Sequence, residues 1–407
     1  MDPMALSGAG RFLNTMSVRY ALRADRRALA ESTVALFTKE GDNPSNLHDM
    51  QCMWYEIELG RSCMRSRAWG KALKNLRSVD KHFTDIVEDQ FDFHSYCMRK
   101  MTLRSYIALL RTEDRIYAHQ FFVRAASATI QVYIALHDRP AGAVEQEIDP
   151  ELAGLSEKDR EKVLRKRRKA ERKAAEEAEE AAKAAGKKGG GKQGGEGKKK
   201  KDADPDGEQL AQTDDPMGEA TKFVNLLAEH AGGLLQTQTL SVEVFMRKGR
   251  LLKALQALKR AAAMAPTSPQ VHRCTVRFLA RVAEARAAAP APVQQVLDSE
   301  FAASAEWGLP GLAQAPGAYN AGWIAKYAKG SVRHAAAGAE AMVALSGGKD
   351  VEAAADLVLA ESLAGCSLAE VSEIHAWAKG SGWAPAKVAA LAAKAKALFP
   401  LATAFQA

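Results

Sequence analysis

Residues 249–266, GRLLKALQALKRAAAMAP, decide the fold. Their marker positions are spaced 5, 4, 3 and 5 residues apart and are Gly249, Ala254, Leu258, Ala261 and Pro266. Alanines at such positions let two antiparallel helices approach closely, while the leucine fills the layer between neighbouring hairpins. The stretch therefore predicts the second helix of a helical hairpin, with proline at its end.

The same spacing returns in other parts of the chain. In residues 53–86, Gly60 is followed by Ala72, Leu76 and Val79, and threonine replaces the final proline. A weaker copy in residues 12–40 carries Ala30, Val34 and Phe37, and residues 118–140 look like another second helix. With residues 235–266, these copies fit the 34-residue tetratricopeptide pattern. The predicted fold is all-α, with tetratricopeptide-like hairpin repeats, and an irregular helical bundle stays open as the alternative.

Composition supports helices and narrows the class of protein. Alanine, the strongest helix former, is concentrated after residue 250, and alternating strand patterns are scarce. The five cysteines are scattered without a CxxC pair, which indicates reduced thiols in the cytosol or nucleus. The amino terminus lacks a signal-peptide pattern, and no window reaches the apolar length of a membrane span. We therefore expect neither secretion nor membrane insertion.

The basic character of the chain lies in one segment. Residues 156–201 carry 18 Lys and Arg against 9 Asp and Glu, while the whole chain has a net charge of +8. The first part is rich in helix formers without an apolar stripe, and the second is a Gly and Lys tract of the kind that does not fold alone. We predict repeats over 1–140, a charged linker over 141–215, a helical repeat module over 216–286 and a C-terminal helical region over 287–407.

No catalytic constellation is recognisable. A P-loop, a GxSxG elbow, an HExxH helix and a usable GxGxxG are all missing, and the nine histidines are dispersed. The Gly-rich turn of the common acetyltransferase fold is also missing. We therefore predict no catalytic, cofactor-binding or metal-ligating residue, and no enzyme activity on this chain.

His94 and Cys97 are the one pair with the spacing of half a metal site. They lie three residues apart on one helical side, but no second ligand pair lies nearby. The interpretation we favour is structural, with His94 at the edge of a buried apolar stripe. The predicted stripe is Phe93, Tyr96 or Cys97, Leu103, Ile107 and Leu110.

The basic run LRKRRKAERK at residues 164–173 leaves three interpretations open. It is a solvated charged helix, a nuclear import signal, or a surface that neutralises RNA phosphates. No aromatic residue lies in 156–201, so base stacking is excluded and backbone contact with folded RNA, as in a ribosome, fits better. The candidate contact residues are Arg165, Lys166, Arg167, Arg168, Lys169, Arg172 and Lys173.

Several stretches carry no catalytic motif but closely match a known protein family. MQCMWYEIELGRSC (50–63), DQFDFHSYCMRKMTLRSYIALLRTED (89–114), HQFFVRAA (119–126) and LHDRP (136–140) resemble the auxiliary subunits of the N-terminal acetyltransferase A complex. The run SEKDREKVLRKRRKAERK resembles that family's basic linker, and residues 245–274 and 398–405 resemble its late repeat and C-terminal end. The resemblance begins near Arg11 and implies the C-terminal half of a longer member.

The resemblance implies a scaffold role. Members of this family form a tetratricopeptide superhelix that holds a small catalytic acetyltransferase and tethers it to the ribosome for co-translational N-terminal acetylation. It implies that acetyl-CoA binds the partner subunit and that this chain carries no cofactor. Its cysteines and apolar windows already predict a cytoplasmic chain, with nuclear import open, and no membrane partner. Arg99, Lys100 and Arg104 stay open as candidate partner contacts or as groups that pair within the chain. The alternative function is that of an unrelated tetratricopeptide adaptor for peptide or protein partners.

Overall fold

The structure is a computed structural model that describes residues 10–36, 46–100, 103–139, 204, 206–302, 309–311 and 314–405. Every regular element within these ranges is helical, as the sequence predicts. The helices that precede the charged segment are α1 (Arg11–Arg23), α2 (Arg27–Ala35), α3 (Asn46–Asp49), α4 (Met53–Arg65), α5 (Trp69–Lys100), α6 (Leu103–Glu113) and α7 (Gln120–Asp138).

The helices after that segment begin with the short α8 (Glu208–Ala211). Those that follow are α9 (Pro216–His230), α10 (Leu235–Arg247), α11 (Leu251–Met264), α12 (Pro269–Ala285), α13 (Ala291–Ala302), α14 (Pro316–Trp323), α15 (Val332–Leu345), α16 (Val351–Leu359), α17 (Leu368–Gly380) and α18 (Pro385–Leu398). Helices α13 to α18 lie in the segment 287–407, which the sequence predicts to be a C-terminal helical region.

Three hairpins share one turn geometry. A residue with positive φ stands between α1 and α2, between α4 and α5, and between α10 and α11, namely Asp25, Arg67 and Gly249. In each turn its N–H donates three residues back, and the next N–H donates five residues back, to carbonyls of the first helix. This is the Schellman arrangement, which satisfies the last carbonyls of a helix and reverses the chain.

The repeat spacing predicted from the sequence is confirmed by burial. The alanine five residues after each turn residue is fully buried in all three hairpins, as Ala30, Ala72 and Ala254. The positions four residues later, Val34, Leu76 and Leu258, are buried as well. The spacing recurs after Gly330, which also has positive φ and is followed by the buried Ala335 and Ala339. Small side chains thus permit close approach of the paired helices, and larger ones fill the interior.

The second hairpin departs from the repeat length. Helix α5 continues for 32 residues to Lys100 instead of ending near Thr84, where the pattern places a proline. Threonine keeps its backbone N–H and allows helical φ and ψ, so nothing in the chain stops the helix there.

The described residues form two compact units. The first contains residues 10–36, 58–74 and 204–212 of the described chain. In it, Asn14 Nδ2 donates to the Thr33 carbonyl at 2.5 Å and ties α1 to α2. Asp25 accepts from Ser62 Oγ at 2.8 Å and from Arg65 Nη2 at 2.7 Å. The turn residue of the α1–α2 hairpin is therefore also a polar anchor for α4.

The second unit contains residues 46–57, 75–139 and the described residues after 212. Helices α7, α9, α10, α11 and α12 pack in succession, and α12 packs on α15. Its last part has its own apolar core, to which Val371, Ile374, Trp383 and Phe405 contribute. Side-chain caps begin α9 at Asp215 and α12 at Ser268, each followed by proline, and a Ser367–Glu370 capping box begins α17. The domain boundaries predicted from sequence stay predictions.

Candidate partner interface

Helix α6 carries a row of exposed apolar side chains, although the sequence predicts that these residues are buried. Leu103, Ile107 and Leu110 are spaced by four and three residues and lie on one helical face. They are 64%, 38% and 37% exposed. The prediction of burial was wrong for these three because periodicity shows that a face is apolar but not that the chain covers it. The side chains of Phe93, His94, Tyr96 and Cys97 lie outside the described residues, so the structural interpretation of the His94 and Cys97 pair stays a prediction.

Basic side chains flank this row. Two of the candidate contacts, Arg99 and Arg104, are exposed, and so are Arg111 and Arg115. Within the described part of the chain, none of these four arginines forms an ion pair. The side chain of Lys100 lies outside the description. Arg111 was not singled out from the sequence, although its position seven residues after Arg104 places both on the same side of α6.

The basic linker lies outside the described residues. This holds for Arg165, Lys166, Arg167, Arg168, Lys169, Arg172 and Lys173 alike. Their contact with RNA or with an import receptor stays a prediction.

A row of ion pairs joins four helices of the second unit. Arg247 Nη2 lies 2.7 Å from Asp138 Oδ2 at the end of α7, and Arg247 Nη1 lies 2.6 Å from Glu243 Oε2. Arg277 Nη1 on α12 lies 2.7 Å from the other oxygen of Glu243. Next to it, Arg273 Nη2 donates to Glu340 Oε1 on α15 at 2.9 Å. The sequence signals only the Glu243 and Arg247 pair, through its spacing of four residues.

The partners in this row shift one another's pKa. Burial alone would raise the pKa of Asp138, but hydrogen bonds from Arg247 and His137 hold it below its ordinary value. Burial raises the pKa of Glu340, and the nearby Arg273 and Arg277 oppose that rise. Partly buried, bidentate arginine–carboxylate pairs fix the relative register of the helices that carry them. The row therefore acts as a brace between helices.

A buried carboxylate holds three helices at the start of the second unit. Glu56 Oε1 lies 2.8 Å from His48 Nδ1 and 2.8 Å from His82 Nε2, and the Glu56 side chain is fully buried. One oxygen thus connects α3, α4 and α5. Among the described residues no group of three His, Cys, Asp or Glu could hold a metal ion. We interpret this cluster as a structural contact.

The buried thiol and imidazole of α12 are held in unreactive forms. Burial raises the pKa of Cys274 to about 12, so the thiolate needed for nucleophilic chemistry is not formed at neutral pH. Burial lowers the pKa of His272 to about 4, while its contact with Asn320 opposes the shift. The His272 ring stacks on Trp323 with centroids 4.2 Å apart. Both groups belong to the core.

The family of the chain is decided by its sequence match. A family model described as "N-terminal acetyltransferase A, auxiliary subunit" matches residues 3–261, which is more than half of the chain. The chain belongs to this family. Among the described residues of this auxiliary-subunit family member, no helix is long and apolar enough to cross a membrane.

Curated relatives and a solved structure agree with that assignment. The N-terminal acetyltransferase A complex auxiliary subunit NAA15 of Arabidopsis thaliana is 46% identical over 273 residues, covering 66% of this chain and 30% of the relative. N-alpha-acetyltransferase 16, NatA auxiliary subunit, of Mus musculus is 45% identical over 287 residues, covering 68% and 33%. The structure of Naa15/Naa10 bound to HypK-THB matches with a TM-score of 0.54 and 28% identity, covering 72% of this chain and 36% of that chain. The chain spans about a third of the length of these relatives.

Proposed function

We propose that this chain is a non-catalytic scaffold subunit of a protein N-terminal acetyltransferase complex and that it holds the catalytic subunit. The observation that carries the proposal is membership of the auxiliary-subunit family. The solved structure similar to this chain contains Naa15 together with Naa10. In this proposal acetyl-CoA and the transfer step belong to the catalytic partner.

The architecture supports a holding role. Within the second unit, α7, α9, α10, α11 and α12 pack in succession, and a brace of ion pairs fixes α7, α10, α12 and α15 in register. A rigid surface binds a partner without the entropic cost of ordering it first. Burial keeps Cys274 of α12 as a thiol and His272 of the same helix as a neutral imidazole at neutral pH.

Co-purification tests this proposal. The full chain is tagged in its source cell, isolated under native conditions and examined by mass spectrometry, and the eluate is assayed for transfer of acetyl groups from acetyl-CoA to peptide N-termini. We expect a catalytic acetyltransferase subunit in stoichiometric amount, and activity in the eluate. The untagged strain serves as the control, and a chain recovered without any acetyltransferase would overturn the proposal.

We further propose that the basic linker helps to dock the complex at the ribosome in the cytoplasm. Nine more positive than negative charges in residues 156–201 favour phosphate contact, and such contact weakens steeply with salt. Import into the nucleus is the competing use of the same run.

Co-sedimentation with ribosomes at increasing salt tests the linker. Replacing Arg165, Lys166, Arg167, Arg168 and Lys169 by Glu should abolish sedimentation at low salt. The matched control reverses five exposed basic residues of the described helices and turns, which are Arg260, Lys329, Lys349, Lys379 and Lys396. Ribosome binding that does not depend on salt, or that the control variant loses equally, would contradict this part of the proposal.

A further inference from the structure

Helix α6 presents an apolar face that the described chain leaves uncovered. The α6 row, defined as Leu103, Ile107 and Leu110, repeats the spacing by which helices bury one side. The matching row of α11, with Leu251, Leu255 and Leu258, is almost wholly buried. Contiguous exposed apolar side chains of this kind mark interaction sites more often than isolated ones do.

The charges around the row indicate which partner fits it. At 100° per residue, Arg104 and Arg111 lie along one flank of Ile107. Arg99 and Arg115 stand before and after it in the chain, and both are exposed. No described residue neutralises any of these four guanidinium groups. A partner that covers the row therefore meets Arg104 and Arg111 along one flank, while the exposed Asp114 follows the row just after the end of α6.

A second copy of this chain is a poor occupant. In an antiparallel pair centred on Ile107, Arg104 of one copy would face Arg111 of the other. Like charges placed across an interface oppose association. An anionic membrane surface is also a poor fit, because the face has only three large apolar residues on an 11-residue helix. Helices that lie in membrane interfaces bury a large apolar face that includes aromatic side chains, whereas this row has only three aliphatic side chains.

We propose that the α6 row docks an acidic amphipathic helix of another protein. Such a helix would place apolar residues at i, i+4 and i+7 against Leu103, Ile107 and Leu110, and Asp or Glu against Arg104 and Arg111. This is the helix-on-helix mode of peptide recognition, with packing supplying affinity and charge supplying specificity. An 11-residue helix is about 16 Å long, so two to three turns of the partner suffice. The proposal is independent of the scaffold role proposed above.

Fluorescence anisotropy with two designed peptides tests it on the full chain. The acidic probe is a labelled helical peptide with Leu at i, i+3, i+4 and i+7 and Glu at the flanking positions, and the basic probe has Lys in place of Glu. We expect the acidic probe to bind at least about tenfold more tightly, since one charge-assisted contact is worth about a factor of ten. Ile107→Asp should weaken its binding about tenfold or more.

Charge reversal supplies the sharper result. The variant carrying Arg104→Glu and Arg111→Glu should lose the acidic probe and gain the basic one. Val296→Asp on α13 and Lys329→Glu are matched controls at exposed positions of other elements, and both should bind the acidic probe as the unmodified chain does. Circular dichroism confirms that each variant is folded.

Four outcomes would overturn the proposal. They are equal binding of the two probes, unchanged binding by Ile107→Asp, self-association in sedimentation that Ile107→Asp abolishes, and retention on phosphatidylserine vesicles that depends on Ile107. The third result would make a second copy the occupant, and the fourth would make it a membrane.

Discussion

Helices α6 and α11 carry nearly the same apolar pattern and have opposite surroundings. Leu103, Ile107 and Leu110 match Leu251, Leu255 and Leu258 in spacing, yet the second set is at most 5% exposed. Helix α11 follows a Schellman turn that returns it onto α10, and it also packs on α12 and α13. The comparison teaches that an amphipathic pattern predicts a buried face without stating which chain buries it.

The largest loss of stability is expected from a substitution in the buried row of α11. Leu258→Ala removes a side chain that is 1% exposed and leaves a cavity between α11 and its neighbours. We expect the free energy of unfolding to fall by about 2 to 5 kcal/mol in urea denaturation. A loss below about 1 kcal/mol would show that this face is not a packed core.

A smaller loss of stability is expected when the buried imidazole of His272, on the neighbouring helix α12, meets low pH. His272 has a pKa of about 4 in the folded chain and about 6.5 when unfolded, so unfolding takes up a proton as the pH falls between these values. The neutral ring contributes stability above pH 6.5 that is lost as the pH falls toward 4. At pH 5 the loss is about 2 kcal/mol relative to neutral pH.

His272→Phe isolates this contribution. The variant lacks the hydrogen bond from the ring to Asn320, so it should be less stable at neutral pH by about 1 kcal/mol. Its stability should then fall less between pH 7 and pH 5 than that of the unmodified chain, measured by urea denaturation at both values. Parallel pH profiles would contradict the buried neutral imidazole.

The turn that closes α11 onto α10 should tolerate little change. Gly249 has a φ of +66°, and no atom lies within 4 Å of the position a Cβ would take, so Gly249→Ala strains only the backbone. We expect a loss of about 1 kcal/mol in the free energy of unfolding. Lys248→Ala is the neighbouring control, since Lys248 has an ordinary negative φ and should change little. Equal losses for both would remove the special role of the turn.

The hairpins could be predicted from the sequence because the residues that define each one lie close together in the chain. The spacing from Gly249 to Ala254 and Leu258 is set within one hairpin, and the structure confirms it. The contact of Arg247 with Asp138 joins residues 109 positions apart, so only the folded chain shows it. The sequence did not predict the exposure of Ile107, because the apolar spacing of a helix does not show whether another element covers that face. The contact roles of Arg99, Lys100 and Arg104 stay predictions.

The smallest loss of stability is expected from a substitution in the exposed α6 row. Leu103→Ala removes a side chain that is 64% exposed, so little buried surface is lost. We expect the free energy of unfolding to stay within about 0.5 kcal/mol of its original value. A loss comparable to that of Leu258→Ala would place the α6 row in a core.

Cysteine labelling tests the contrast between the two helices most directly. Leu103→Cys and Leu251→Cys place a thiol at the matching first position of α6 and α11, and peptide mass spectrometry separates them from the five native cysteines. We predict that a maleimide modifies Cys at position 103 in the native chain about as fast as in urea, whereas position 251 reacts only after denaturation. Equal protection of both positions, or equal reactivity, would contradict the account.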